Sequence, residues 1–254
     1  MLQPLDRLYR KLATGFAFAC LFLGGCILAA TLFPVMALWP DHRRERTQSV
    51  IRGTFRFYLG MLQRLSLLRI EIHGREQLSD CEGRLIVANH PSLLDVVLLM
   101  ALIPNAQCIV KHQLWNNRFL GGVMRRAGYI RNDLEAEGLI DACRNSLENG
   151  SNIIVFPEGT RSVISALPRF HRGFANIATM TGAKIQPIVI TCTPPTLRKG
   201  DPWWVIPDTR PVFRVLIKEC LDADSYLSYR YRGVASRKLV ERMEAYYAEQ
   251  LAHV

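Results

Sequence analysis

The chain has 254 residues, with 32 Lys+Arg against 22 Asp+Glu for a formal charge of +10; 49% of its residues are hydrophobic and 21% charged. That length holds one large domain or two small ones and buries a core without staples, and the composition excludes a disordered, collagen-like or coiled-coil chain. The positive balance points to an anionic partner: nucleic acid, an anionic membrane surface or a phosphorylated substrate. Cys20, Cys26, Cys81, Cys108, Cys143, Cys192 and Cys220 are odd in number and hold no CxxC pair. They form neither a disulfide framework nor a zinc site, and they suit a reducing compartment.

Leu12 to Pro40 carries no charged residue. A bilayer core of ~30 Å needs roughly 20 apolar residues in a helix, so Gly15–Trp39 reads as an uncleaved membrane anchor over residues 1–40. It either spans or, because of Pro34, re-enters. A cleaved secretory signal has a shorter apolar core of about 7–15 residues. Arg7, Arg10 and Lys11 precede the run, and Arg43, Arg44, Arg46, Arg52 and Arg56 follow it. The excess on the second side favours a cytoplasmic location for the rest of the chain, at a bacterial inner membrane. Residues 41–68 mix arginine with apolar residues at helical spacing and read as a basic amphipathic helix against membrane or core.

Beyond residue 68, short apolar runs alternate with helical patterns. Arg69–His73, Leu85–Ala88, Cys108–Val110, Asn152–Phe156, Ile185–Thr191 and Val212–Lys218 read as strands. Ser92–Ile103 (with Ser92 as cap), Leu134–Asn149, His171–Thr181 and Val234–Ala252 read as helices, and Gly150 and Gly182 stop two of them. The alternation predicts an α/β fold over residues 69–254: a mostly parallel central sheet flanked by helices, preceded by the N-terminal membrane helix.

Two constellations carry chemistry. Asn89-His90-Pro91-Ser92-Leu93-Leu94-Asp95 follows a strand and opens a helix, where α/β sheets place active sites. An Asp five positions on can fold back to orient His90 as a general base; taken alone, the pair is as well read as a helix-capping histidine beside a solvated acid. Phe156-Pro157-Glu158-Gly159-Thr160-Arg161-Ser162 also ends an apolar strand. Gly159 permits close backbone approach, and Arg161 offers a planar fork for a phosphate. Taken alone, this segment is also an ordinary turn with a surface arginine.

Together, in this order and spacing, the two segments resemble the motifs of the glycerolipid acyltransferase superfamily, whose best-known members are the 1-acylglycerol-3-phosphate (PlsC-like) acyltransferases. Its first motif, Asn-His-x-x-x-x-Asp, is met by Asn89, His90 and Asp95; its third by Phe156–Ser162; its fourth by Ile185-Gln186-Pro187-Ile188-Val189. Phe170, Gly173 and Gly182 fit the intervening pattern. Two features depart. The second motif has an arginine six residues after a glycine, where this chain has Leu134 after Gly128, leaving Arg131, Arg125 or Arg126 as substitutes. Lys111-His112-Gln113-Leu114 keeps the motif's lysine but not its acid.

The resemblance implies a membrane-bound O-acyltransferase. An acyl thioester, on coenzyme A or acyl carrier protein, would donate to the hydroxyl of 1-acylglycerol-3-phosphate and give phosphatidic acid. His90 and Asp95 would be catalytic, and Glu158, Gly159, Thr160, Arg161, Asn89, Lys111 and Arg131 would bind substrate. No metal or other cofactor is expected, since His42, His73, His112, His171 and His253 show no metal-ligand spacing. Expected partners are the lipid acceptor, the thioester donor and an anionic membrane surface; basic residues dispersed along the chain argue against nucleic acid. Two alternatives are the same chemistry on another acceptor (a lysophospholipid, an ornithine-type aminolipid or a polyene lipid) and a non-catalytic module binding anionic lipid. Of the formal charge, +8 lies after residue 40, with 29 of the bases and 21 of the acids.

Overall fold

The computed structural model describes residues 4–31, 35, 43–118, 120–162, 169–222 and 231–252. The expected end of the anchor, with Pro34 and Trp39, lies outside them, as do His42 and His253.

The chain order is α1 (Pro4–Ala30), α2 (Arg43–Arg64), β1 (Arg69–His73), a 3₁₀ turn (Arg75–Leu78), β2 (Leu85–Ala88), α3 (Asp95–Leu102), β3 (Ala106–Val110), α4 (His112–Trp115), α5 (Gly121–Arg126), β4 (Ile130–Arg131), α6 (Ala136–Glu148), β5 (Asn152–Val155), α7 (Gly173–Thr181), β6 (Ile185–Thr193), β7 (Val212–Ile217) and α8 (Arg232–Ala252). The seven strands form one sheet in the order β1-β7-β6-β2-β5-β3-β4. From β6 to β4 all pairings are parallel; β7 runs antiparallel to β6, and β1 lies parallel to β7. The expected mostly parallel sheet flanked by helices is the observed fold.

Both faces of the sheet are covered, which is why β2 is apolar at every position instead of alternating. Ile86, Ala88, Ile188 and Ile190 face one cluster with Leu59 and Leu62 of α2 and Leu98 and Leu99 of α3. Leu85, Val87, Ile153 and Val189 face the other, with Cys143 of α6, Ile177 of α7 and Leu239, Met243 and Tyr247 of α8. Each fully buried Leu or Ile contributes about 1.5–3 kcal/mol of transfer free energy. Tyr247 reaches furthest in: its hydroxyl donates to the Val87 carbonyl at 2.6 Å and accepts from Ile188 N–H at 3.3 Å. The last helix is thereby tied to the two central strands.

Several boundaries differ from the expected ones, each for a hydrogen-bonding reason. The helix expected from Ser92 begins at Asp95, because the Asp95 carboxylate accepts the Ser92 N–H at 2.7 Å and holds residues 89–94 in a non-helical turn. The helix expected from His171 begins at Gly173; the Phe170 N–H is taken by Glu244 and the His171 N–H by the Pro157 carbonyl. The elements α4, α5 and β4 lie in a stretch with no clear apolar period, so the sequence pattern does not announce them.

The basic helix α2 packs on the domain. Gln48 donates to the Ala127 carbonyl, Arg44 to Ser146, and Arg52 to the carbonyls of Ala101 and Leu102 at the end of α3. Helix α1 packs by one face only. Ala13 and Ala17 are buried, Arg10 donates to the carbonyls of Pro207, Asp208 and Thr209, and Arg7 pairs with Asp208. Phe16, Phe22, Leu23 and Ile27 are exposed. Among the described residues, Leu5–Ala30 is the one helix long and apolar enough to cross a membrane.

Candidate active site

The carboxyl ends of β2 and β5 lie side by side in the sheet, so the two sequence constellations meet there. Asn89, the first residue past β2, is buried, and its side-chain amide both donates to and accepts from the backbone of Ile190, each at 2.7 Å. It clamps β2 to β6 and sets the exit direction of the chain. His90 follows, with Nδ1 2.9 Å from Asp95 Oδ2. The imidazole stacks on Phe156 of the second constellation, centroids 4.2 Å apart. Its side chain is 15% exposed while that of Asp95 is 0%.

Asp95 Oδ2 accepts from Ser92 N–H and faces His90 Nδ1, whereas Oδ1 is buried with no partner among the described residues. Burial pushes the Asp95 carboxyl up from its ordinary range, opposed by the bonds to His90 and Ser92. A carboxylate fixed in this way holds the Nδ1–H tautomer and leaves Nε2 as the basic atom.

The second constellation is strapped to the first through backbone. Glu158 Oε1 accepts from the His90 N–H at 3.0 Å and the Ser162 hydroxyl at 2.7 Å; the Ser162 N–H donates to the His90 carbonyl at 2.7 Å. Glu158 is thus engaged in holding the histidine turn. Gly159 has φ 65°, a conformation that favours glycine; a Cβ there would meet the ring of the exposed His171 at 2.9 Å, which can swing aside. Thr160 beside it is exposed. Arg161 turns towards the loop after β6, and its Nη1 donates to the carbonyls of Leu197 and Arg198, both at 2.8 Å. Leu197 sits in the left-handed region at φ 53°, and its carbonyl also accepts from Leu93 N–H. The Nε and Nη2 edge of Arg161 has no partner among the described residues.

Lys111 follows β3 and Arg131 ends β4, further along the same edge. Lys111 is exposed, and its carbonyl starts the short helix α4. Arg131 is held in a two-point ion pair by Asp133, at 2.9 and 2.6 Å, which lowers the Asp133 carboxyl and raises the guanidinium. Its fork is therefore occupied within its own turn. Arg125, another substitute for the displaced arginine, donates to the Trp115 carbonyl.

Sequence reasoning passes over Ser162, Tyr247 and the Leu197–Arg198 carbonyls. Ser162 is legible as the last motif residue; the other contacts come from segments remote in sequence. Burial pushes the thiols of Cys108, Cys143 and Cys192 up to about 12, so they are poor nucleophiles near neutral pH. Among the described residues no group of three or more His, Cys, Asp or Glu side chains could hold a metal. An apolar pocket opens beside the site, lined by Ala17, Phe18, Tyr58, Leu62, Leu94 and Leu197 among others.

Residues 69–191, containing both constellations, match the family model described as Acyltransferase. This segment is an Acyltransferase-family domain. The acyltransferase domain is similar to curated 1-acyl-sn-glycerol-3-phosphate acyltransferases. That of Helicobacter pylori is 37% identical over 118 residues, covering 44% of this chain and 49% of the relative. That of Cocos nucifera is 34% identical over 122 residues, covering 45% and 39%. The chain thus spans about half the length, or less, of these curated relatives. In fold, it resembles the crystal structure of the 1-acyl-sn-glycerophosphate acyltransferase PlsC from Thermotoga maritima, with a TM-score of 0.68 at 22% identity over 96% of this chain and 97% of that one.

Proposed function

We propose that the protein transfers an acyl group from an acyl thioester to the free hydroxyl of 1-acylglycerol-3-phosphate, giving phosphatidic acid. The observation that carries this reading is the His90–Asp95 pair at 2.9 Å, held against the Phe156–Ser162 loop at the carboxyl edge of the sheet. The names of the relatives supply the substrate class.

In this mechanism His90 Nε2 takes the hydroxyl proton as the oxygen attacks the thioester carbonyl. A C–O bond forms, the C–S bond breaks, and the departing thiolate recovers the proton from His90. Asp95 Oδ2 keeps Nδ1–H in place and stabilises the transient imidazolium. No acyl-enzyme is needed, in keeping with the raised thiols and the lack of a Gly-x-Ser-x-Gly elbow in the sequence. The open edge of Arg161 would take the acceptor phosphate in a charge-assisted fork. The apolar pocket touches Leu94, next to Asp95, and Leu197, which holds Arg161, so it is suitably placed for an acyl chain. The exposed face of α1 would enter the bilayer, with the domain on the cytoplasmic side of a bacterial inner membrane.

A second reading, the same transfer to an acceptor without a phosphate monoester, is favoured by the Arg131–Asp133 pair. It removes a cation expected to bind phosphate.

The test is acyl transfer by the full chain in membranes, with oleoyl-CoA or acyl carrier protein as donor and a panel of acceptors. His90→Ala is expected to lower the rate ~10²–10⁴-fold in a protein that still unfolds cooperatively. An alanine variant keeping most of its activity would overturn the mechanism, and transfer only to other lipids would select the second reading.

A further inference from the structure

A second groove lies away from the dyad, between α2, β1 and the far end of α3. It is an open groove of about 210 Å³. Leu59 of α2, Ile70 and Ile72 of β1, and Leu98, Ala101 and Leu102 of α3 make an apolar floor, while Arg56 and Arg75 stand at its rim. Gly60 opens one wall; a Cβ there would meet nothing within 4 Å.

The arginines are uneven in their engagement. Arg52, one turn before Arg56 on α2, is spent on the carbonyls of Ala101 and Leu102, where it caps α3. Arg56 and Arg75 make no ion pair with the described residues. Glu71, the nearest acid on β1, is committed to Arg69 and Arg214. The charges acting on Arg52 are those of Arg56 and Arg75; with burial, which is the larger cause, they depress its pKa. Arg52, Arg56 and Arg75 therefore lie within electrostatic reach of one another beside an apolar trough. A convergence of this kind carries a repulsive cost that an anion in the groove would relieve.

We propose that this groove binds an anionic phospholipid, with the phosphate on Arg56 and Arg75 and an acyl chain along Leu59, Ile70, Ile72 and Leu98. Charge complementarity requires the anion, and the apolar floor behind the two cations requires a hydrocarbon chain attached to it. The placement agrees: α2 follows the apolar helix α1 in the chain, and Phe57, adjacent to Arg56, is 71% exposed. The site is separate from His90, Asp95 and Arg161, so a lipid here is a bound companion of the enzyme and not its substrate.

The experiment uses the full chain in detergent micelles doped with dioleoylphosphatidylglycerol or dioleoylphosphatidylcholine, reading retained lipid by native mass spectrometry. Wild type is expected to retain phosphatidylglycerol in preference to phosphatidylcholine. The double variant Arg56→Gln, Arg75→Gln should weaken that retention about tenfold. Gly60→Leu, which keeps every charge and fills open space, should weaken it as well. Retention equal to wild type in both variants overturns the proposal. So does a result in which inorganic phosphate displaces the lipid fully and Gly60→Leu binds as wild type, since the rim would then be a small-anion site. Acyl transfer in the same detergent is expected to be unchanged in all three substitutions, so failure of this site and failure of the His90 mechanism are read separately.

Discussion

At the centre of the sheet's carboxyl edge, β2 and β5 present side chains that bind one another; at its flank, β3 and β4 present side chains that do not reach that group. His90, Asp95, Glu158 and Ser162 share hydrogen bonds across two segments some seventy residues apart in sequence. Lys111 is exposed, and Arg131 closes on Asp133 two residues away. All of these residues lie at or beyond the carboxyl ends of parallel strands of one sheet. Position on the edge is therefore not sufficient for membership in a site. What distinguishes the centre is which groups its loop-to-loop bonds hold: there Glu158 and Ser162 accept from the His90 backbone N–H, whereas at the flank Asn132 accepts from the His112 N–H and Arg131 turns back to Asp133.

The largest test of this contrast is at Asp95. Asp95→Asn is expected to lower acyl transfer by ~10²–10⁴-fold, because an amide cannot stabilise the imidazolium. Its effect on stability should run the other way. The folded-state carboxyl is raised by burial. Above the unfolded pKa of ~3.9, the unfolded chain loses this proton more readily than the folded one, so wild type loses stability as pH rises. Thermal melts near pH 4 and pH 7 should show the variant gaining on wild type at the higher pH; a constant difference would remove the buried charge from the account.

Next in size is Arg161. Arg161→Lys keeps the charge but loses the fork that reaches the Leu197 and Arg198 carbonyls on one side and, in the proposed mechanism, would take the acceptor on the other. A rise of about tenfold in acceptor KM, with a smaller change in kcat, is expected from steady-state kinetics. Glu158→Ala leaves the His90 N–H and Ser162 hydroxyl without their shared acceptor, and denaturant unfolding should report a loss of about 1–3 kcal/mol. The smallest effect is expected at the flank. Arg131→Gln breaks a solvent-facing ion pair of the kind that adds little to stability, so both melting temperature and acceptor KM should stay close to wild type. A large rise in KM there would return Arg131 to the site and erase the distinction between centre and flank.

Much of this protein is legible one residue at a time. The spans of β1 and β2 are readable to the residue, and those of β5 and β7 to within one: β2, covered on both faces, is a continuous apolar run, while β1 at the sheet's edge alternates isoleucine with polar residues. Both constellations are visible because their chemistry resides in local spacing. Asn89 and Glu158 are visible as candidates but not in their observed contacts, since clamping Ile190 and holding the His90 turn require partners remote in sequence. The polar face of α2 reads equally well as facing a membrane; its contacts with Ala127, Ser146 and the end of α3 are set by what packs opposite.

The sequence by itself determined the fold class, the two chemical segments and the apolar N-terminal helix, since each is encoded by periodicity or composition within a short window. Only the tertiary structure decided the strand order, and with it the neighbouring positions of β2 and β5. It also decided that Arg161 leans on the loop after β6 while Arg131 folds back on Asp133, and that Arg56 and Arg75 meet over an apolar groove. Those outcomes depend on non-local pairings, where burial and hydrogen-bond satisfaction select among arrangements that the local pattern leaves equivalent.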